Sequence, residues 1–356
     1  MIRESLANLV DGRDLNMEEA ALAMAQMMNG TATPAQVASF LVALRLKGET
    51  ADEIAGMASV MRDESLRVDT LVDTVDTCGT GGDGAGTFNI STAAAFVVAG
   101  AGQPVAKHGN RAMSSACGSA DVLEALGANV SLGPEQASVC LEETGVTFMF
   151  AQVYHPAMRH VAPIRREIGV RTVFNILGPL TNPARAPYQV IGVAVPSLLR
   201  PMAEALGRLG ARRAMVVHGA GGLDELSLIG VNLVREWTGS GVSEYEIHPG
   251  DVGLRPASLE AVKGGGAAEN AAILRSVLEG ERGPRRDVVL LNAGAGLYSS
   301  GKARSLIDGV RLSEESIDSG AALERLEAFI STTRRLAERP EPGEASASAS
   351  ARGPAA

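Results

Sequence analysis

The sequence predicts an α/β protein made of a small all-helical unit and a larger unit with a mainly parallel central sheet. Three observations predict it. The first sixty or so residues repeat a helix-start pattern backed by apolar stripes at helical spacing. From about Leu71 short β-runs alternate with Gly-rich turns and Ala-rich helical stretches. Aromatic residues are only 3% of the 356, so the core falls to Ala, Val, Leu, Ile and Met, which suit helices layered on a sheet better than a β-sandwich.

Asn16 is followed three residues later by Glu19, Thr33 by Gln36 with Pro34 between, and Thr50 by Glu53. In each pair the first side chain accepts an orphan backbone N–H and the second reaches back to the cap. Stripes follow: Ala20, Ala23, Met24 and Met27; Val37, Phe40, Leu41 and Leu44; Ile54, Met57, Ala58 and Met61. These read as core faces of helices, the methionines included.

Beyond them, Leu71 to Thr77 reads as a strand, Ala93 to Val98 as a helix, Pro104 to Ala106 as a strand and Ser119 to Leu126 as a helix. Val190 to Val195, Ala214 to Val217 and Val288 to Leu291 read as further buried strands. Ligands in such βαβ architectures sit at the carboxyl ends of strands. After Arg339 the chain becomes Pro, Gly, Ala and Ser, and disorder is expected there.

A net charge of −9 argues against a broad nucleic-acid surface, although an acidic protein can hold a local basic pocket. Cys78, Cys117 and Cys140 stand at no metal or redox spacing and read as free thiols of a reducing compartment. No signal-peptide pattern opens the chain and no apolar run approaches a membrane span, so a soluble cytosolic protein is expected.

Four segments carry chemistry. Asp76 to Thr92 packs glycines at 79, 81, 82, 84 and 86 before a helix, where freed N–H groups suit phosphate. Gly79, Gly81 and Gly84 also satisfy G-x-G-x-x-G, but Asp83 would face a dinucleotide's pyrophosphate, and Lys107 stands where a ribose-binding acid is expected. No Walker-type G-x-x-x-x-G-K-[ST] occurs. The segment Lys107 to Ser115 combines cations, an amide and hydroxyls at a strand end, an inventory for an anion with several oxygens. Asp224 and Glu225 follow a strand as either a surface acid pair or ligands for a hard cation. Arginines 159, 165, 166 and 171 lie before Phe174 to Pro183, and spacing alone assigns them no ligand.

Together these segments resemble the anthranilate phosphoribosyltransferase family. Gly-Thr-Gly-Gly-Asp at 79–83, Lys-His-Gly-Asn-Arg at 107–111 with the Ser pair, Gly-Ser-Ala-Asp-Val-Leu-Glu-Ala-Leu-Gly at 118–127 and Phe-Asn-Ile-Leu-Gly-Pro-Leu-Thr-Asn-Pro at 174–183 match in order. The resemblance covers about residues 5 to 335. It implies a nucleoside phosphorylase type fold, with a helical domain over 1–68 joined by 160–184, an α/β domain over 69–159 and 185–338, and a tail over 339–356.

The resemblance also implies 5-phosphoribosyl 1-diphosphate (PRPP), anthranilate and Mg²⁺. PRPP would be held by Gly79, Gly82, Asp83, Thr87, Asn89, Ile90, Ser91, Thr92, Lys107, His108, Gly109, Asn110, Arg111, Ala112, Met113, Ser114, Ser115 and Ser119. Anthranilate would meet Gly79, Asn110 and Arg165, with His108 and His155 lining the same channel. Ser91, Asp224 and Glu225 would take Mg²⁺, and no covalent nucleophile is implied. Gly221 departs from the family, which commonly has an acidic residue there. A homodimer paired through the helical domains is implied, and association with anthranilate synthase stays open. A pyrimidine nucleoside phosphorylase of the same fold, or a nucleic-acid-binding relative without transferase activity, are the alternative readings.

Overall fold

A computed structural model describes residues 2–112 and 116–338. The expected tail over 339–356 lies outside the described residues.

Helices α1 (Ile2–Val10), α2 (Met17–Met28), α3 (Pro34–Lys47) and α4 (Ala51–Asp63) form the N-terminal unit. All three predicted capping boxes are made, each with both hydrogen bonds in place. Every residue of the three predicted stripes is buried. Glu53 does more than cap: its fully buried carboxylate accepts from the Leu15 and Thr50 N–H groups at 2.9 and 2.8 Å and from Lys47 Nζ at 3.0 Å. It thereby joins the start of α4 to the α1–α2 connection and the end of α3.

The sheet has seven strands: β1 (Val75–Gly79), β2 (Val105–Gly109), β3 (Val146–Phe150), β4 (Tyr188–Gly192), β5 (Arg213–His218), β6 (Asn232–Trp237) and β7 (Val242–Ile247). They run in the order β3-β2-β1-β4-β5-β6-β7. The first five are parallel, and β6 and β7 add an antiparallel edge. The chain builds outward from β1 to β2 and β3, then returns to place β4 on the other side of β1. The crevice beyond the carboxyl ends of β1 and β4 is therefore the switch point where ligands bind in such sheets.

The remaining helices are α5 (Ile90–Gly100), α6 (Ser119–Ala125), α7 (Pro134–Thr144), α8 (Ala151–Tyr154), α9 (Ala162–Ile168), α10 (Phe174–Leu177), α11 (Leu199–Arg208), α12 (Ala267–Leu278), α13 (Pro284–Ser299), α14 (Leu306–Asp318) and α15 (Ala321–Ala337). Helix α5 is buried almost all round, packed against the sheet, α13 and α15. On the other face α11 packs against α4, so the helical unit's core runs without a break into Ile191, Val193, Ala214 and Val216 of the sheet face and its margin.

Three strand expectations need correction. The strand expected over Val190 to Val195 is β4, which ends at Gly192. Val288 to Leu291 is not a strand but the middle of α13. A four-residue apolar run fits a buried helix as well as a buried strand, and Pro284 at the first helical turn was the signal for the former. The strand expected from Leu71 begins only at Val75; Leu71 and Val72 are exposed. Strands β3, β6 and β7 were not anticipated. The Thr-Gly-Ser-Gly turn at 238–241 between two six-residue runs marks the β6–β7 hairpin.

Candidate active site

Gly79 and Gly192 are register partners at the carboxyl ends of β1 and β4. A Cβ on Gly79 would lie 2.2 Å from Asp224 Oδ2, and one on Gly192 would lie 1.7 Å from the Asp224 carbonyl oxygen. The two glycines thus leave a channel across the strand ends, and the segment after β5 lies in it. Asp224 Oδ2 accepts from the Gly81 N–H at 2.6 Å, and Glu225 Oε1 accepts from the Ser91 N–H at 3.3 Å. The acid pair, the glycine loop and the N-terminus of α5 are one site.

Asp83 faces the same place. Its Oδ1 accepts from the Ala85 N–H at 3.0 Å, while its Oδ2 is buried without a hydrogen-bond partner. Asp224 and Glu225 sit half-buried, and both titrate higher than ordinary carboxyls. Burial raises them first, and the neighbouring negative charges raise them further. A partnerless carboxylate oxygen beside two mutually repelling carboxyls fits a hard cation such as Mg²⁺. Among the described residues no three His, Cys, Asp or Glu side chains form a complete metal cage. Mg²⁺ requires none, because it usually takes one or two carboxylates and completes its shell with water and substrate phosphates.

Lys107 lies beneath this surface, only 3% exposed. Its Nζ donates to the Thr77 carbonyl and, at 3.3 Å, to Ser91 Oγ. Asp76 is the buried acid below it: Asn182 Nδ2 donates to Asp76 at 2.7 Å and the His108 N–H at 3.3 Å. Burial pushes the Asp76 carboxyl up to about 6 against the pull of Lys107. Lys107 therefore braces β1 and the start of α5 from below.

The rest of the β2 loop is tied to α6. Asp121 Oδ2 accepts from the Ala112 and Gly118 N–H groups, each at 2.9 Å, and Ser119 Oγ donates to the Asn110 carbonyl at 3.3 Å. Gly109 is needed because a Cβ there would lie 2.3 Å from Ser119 Oγ. Arg111 pairs with Asp121 at 3.0 Å and with Glu124. Asn110 is exposed at the loop's turn. Met113, Ser114 and Ser115 lie outside the described residues.

Asn89 precedes α5 without capping it; its side chain donates to the Cys117 carbonyl at 3.2 Å and accepts from Asn270 Nδ2 at 2.9 Å. Ile90 and Thr92 are buried in the first turn, the Thr92 hydroxyl without a partner. Thr87 pairs with Lys263 in an isolated bridge, and Gly82 lies exposed in the loop.

A second region is neutral. His108 Nδ1 meets the Gly178 carbonyl at 3.1 Å, and His155 Nε2 meets His108 Nε2 at 3.2 Å. If His108 Nδ1 carries the proton, its Nε2 accepts from His155 Nε2–H; both rings are then uncharged, and His155 Nδ1 is buried without a hydrogen-bond partner. Burial pulls His108 down to about 3, helped by His155, and pulls His155 down to about 4. Arg165 stands half-buried with its guanidinium 5.1 Å from the centre of the Phe174 ring. Burial lowers its pKa as well. No hydrogen bond joins Arg165 to Asn110.

Asp76, Asn182, Gly192, Asn270 and Arg171 were given no role by the sequence. Arg171 donates to the Gly82 and Gly81 carbonyls at 3.0 and 3.1 Å. Its only sequence signal was its place just before Phe174 to Pro183.

A helical bundle beside a switch-point sheet, with a glycine loop, an acid pair and a strand-end cation, is an arrangement suited to glycosyl transfer from a phosphorylated sugar. The comparisons agree: residues 3–65 match the helical bundle domain of a glycosyl transferase family, and residues 71–323 match its a/b domain. The chain is 58% identical to the anthranilate phosphoribosyltransferase of Chloroflexus aggregans over 94% of its own length and 98% of the relative's. The Thermus thermophilus anthranilate phosphoribosyltransferase structure superposes with a TM-score of 0.88 at 51% identity, covering 93% of this chain and 99% of that one. The Saccharomyces cerevisiae enzyme, solved in complex with PRPP and Mg, gives 0.84 at 30% identity over 94% and 98%. The chain belongs to the anthranilate phosphoribosyltransferase family. These relatives support the transferase reading rather than the phosphorylase or nucleic-acid alternative.

Proposed function

We propose that this chain transfers the 5-phosphoribosyl group of PRPP to the amine of anthranilate, releasing pyrophosphate, in tryptophan biosynthesis, with the two regions of the site dividing the substrates. The observation that carries the reading is Asp224 lying across Gly79 and Gly192 with its carboxylate on the glycine loop. It joins an acid pair, a phosphate loop and a helix N-terminus in one crevice.

PRPP lies with its diphosphate against the glycine loop and the β2 loop. Asp224, Glu225 and Ser91 would hold Mg²⁺, with Asp83 beside them. Mg²⁺ bound there supplies positive charge that neutralises the leaving pyrophosphate. Arg165, held on the Phe174 ring, takes the anthranilate carboxylate, with Asn110 and the imidazoles of His108 and His155 along the same channel. Neutral imidazoles leave the aniline lone pair free for attack on C1 of the ribose. No strong base is required, and alignment of amine and C1 does the rest. No side chain forms a covalent intermediate.

Burial of Val161, Val173, Phe174, Ile176 and Leu177 in the same core cluster as α1–α4 supports counting 160–184 with the helical unit. Its exposed Val42 and Leu46 on α3 and Val10 at the end of α1 support pairing of two copies through this unit. The three free cysteines support a reducing, cytosolic setting. Among the described residues no helix is long and apolar enough to cross a membrane.

Anthranilate fluorescence tests the reaction. It should fall only when PRPP and Mg²⁺ are both present. Fluorescence that persists with folded protein would mean another acceptor.

A further inference from the structure

The glycine loop is held from two sides, and one holder comes from outside the strand ends. Gly81 donates its N–H to Asp224 Oδ2 at 2.6 Å, and its carbonyl accepts from Arg171 Nη2 at 3.1 Å. The next carbonyl, that of Gly82, accepts from Arg171 Nη1 at 3.0 Å. The planar guanidinium thus forks two successive carbonyls in a fixed geometry, which a lysine ammonium on its flexible stem does not preset. Both glycines have positive φ, 70° and 75°, the backbone that turns these two carbonyls toward the arginine. A Cβ on Gly82 would lie 1.7 Å from Nη1, so the arginine reaches the loop only because that position has no side chain.

A trans peptide is planar, with its N–H pointing opposite to its C=O. Fixing the carbonyls of Gly81 and Gly82 on Arg171 therefore aims the N–H groups of Gly82 and Asp83 away from Arg171. Arg171 lies just beyond α9, which carries Arg165, with Gly169 ending that helix at φ 69°. The same short segment thus bears the proposed carboxylate-binding arginine and the arginine that shapes the diphosphate loop.

We propose that Arg171 is a positioning residue that sets the glycine loop in its diphosphate-binding shape and couples that shape to the segment holding anthranilate. The proposal rests on the reading that PRPP lies against this loop. Coupling of this kind is reciprocal: whatever PRPP binding does to anthranilate affinity, anthranilate does to PRPP affinity.

The test uses the full chain in two ways. Hydrogen exchange of the 79–88 segment is measured without substrates, in wild type, Arg171→Ala and Arg171→Lys. Steady-state rates are then measured with both substrates varied. Arg171→Ala should exchange faster in this segment alone, raise the KM for PRPP roughly tenfold or more, and abolish the dependence of each substrate's KM on the other. Arg171→Lys should restore only part of both effects, and it carries the test if the alanine variant does not fold. A raised KM with unchanged loop exchange would make Arg171 a direct PRPP ligand and overturn the proposal. An unchanged KM would overturn it as well. Failure of wild type to consume anthranilate with PRPP would refute the reaction instead, and loop exchange would still judge Arg171.

Discussion

The two regions of the site handle charge in opposite ways. Around the glycine loop Asp83, Asp224 and Glu225 crowd together, and the last two titrate high because they are buried, with Asp83 further raising Asp224 and Asp224 further raising Glu225. Around His108 and His155, burial has removed charge, and the two imidazoles share a hydrogen bond uncharged. The first arrangement is relieved by a cation and a polyphosphate. On the proposed function, the second would receive the aromatic amine and leave its nitrogen unprotonated. On the same proposal, the contrast accounts for how an acidic protein would receive an anionic substrate: the crowded carboxylates would hold a metal ion that recruits the diphosphate.

Removing the charge of the first region should have the largest effect. Asp224→Asn combined with Glu225→Gln should lower kcat/KM roughly a hundredfold or more and flatten its Mg²⁺ dependence. Rates titrated against Mg²⁺ check this, and an unaltered metal response would erase the contrast.

The second region should show itself in stability. An exposed imidazole titrates near 6.5, whereas folded His108 and His155 titrate at about 3 and about 4. The unfolded chain therefore binds more protons below pH 6.5. The stabilisation from neutral burial is complete above that value and is lost as pH falls toward 4. Asp76, Asp224 and Glu225 act in the opposite sense, since their folded pKa values of about 6, about 7 and about 8 lie above the ordinary carboxyl range and favour the fold at low pH. The contribution of the His pair is isolated by difference: the melting temperature of wild type relative to a His108→Asn, His155→Asn double variant should fall between pH 7 and pH 4.5, and a constant difference would contradict the neutral burial.

The smallest effect belongs to Arg111. Its guanidinium is exposed and paired with Asp121 and Glu124. Arg111→Gln should cost less than about 1 kcal/mol in urea unfolding. A larger cost would mean that this pair orders the whole β2 loop.

The sequence revealed what is decided locally. The three capping boxes join side chains to backbone within four residues, and each was legible. The glycine loop was legible too, because few other needs place so many glycines before a helix. Val288 to Leu291 was misread because burial, rather than period, dominates α13. The deeper parts of the site depend on distant partners: Asn182 meets Asp76 across 106 residues of chain, and Asp224 meets Gly81 across 143. The neutrality of the His pair follows from burial that only the fold creates.

The measurement that bears most directly on the division of the site is the KM for each substrate in two variants compared side by side. Arg165→Ala should raise the KM for anthranilate roughly tenfold or more and leave that for PRPP within about twofold, whereas Asp224→Asn should do the reverse. Equal losses for both substrates in both variants would contradict the account, because the two regions would then be one undivided site.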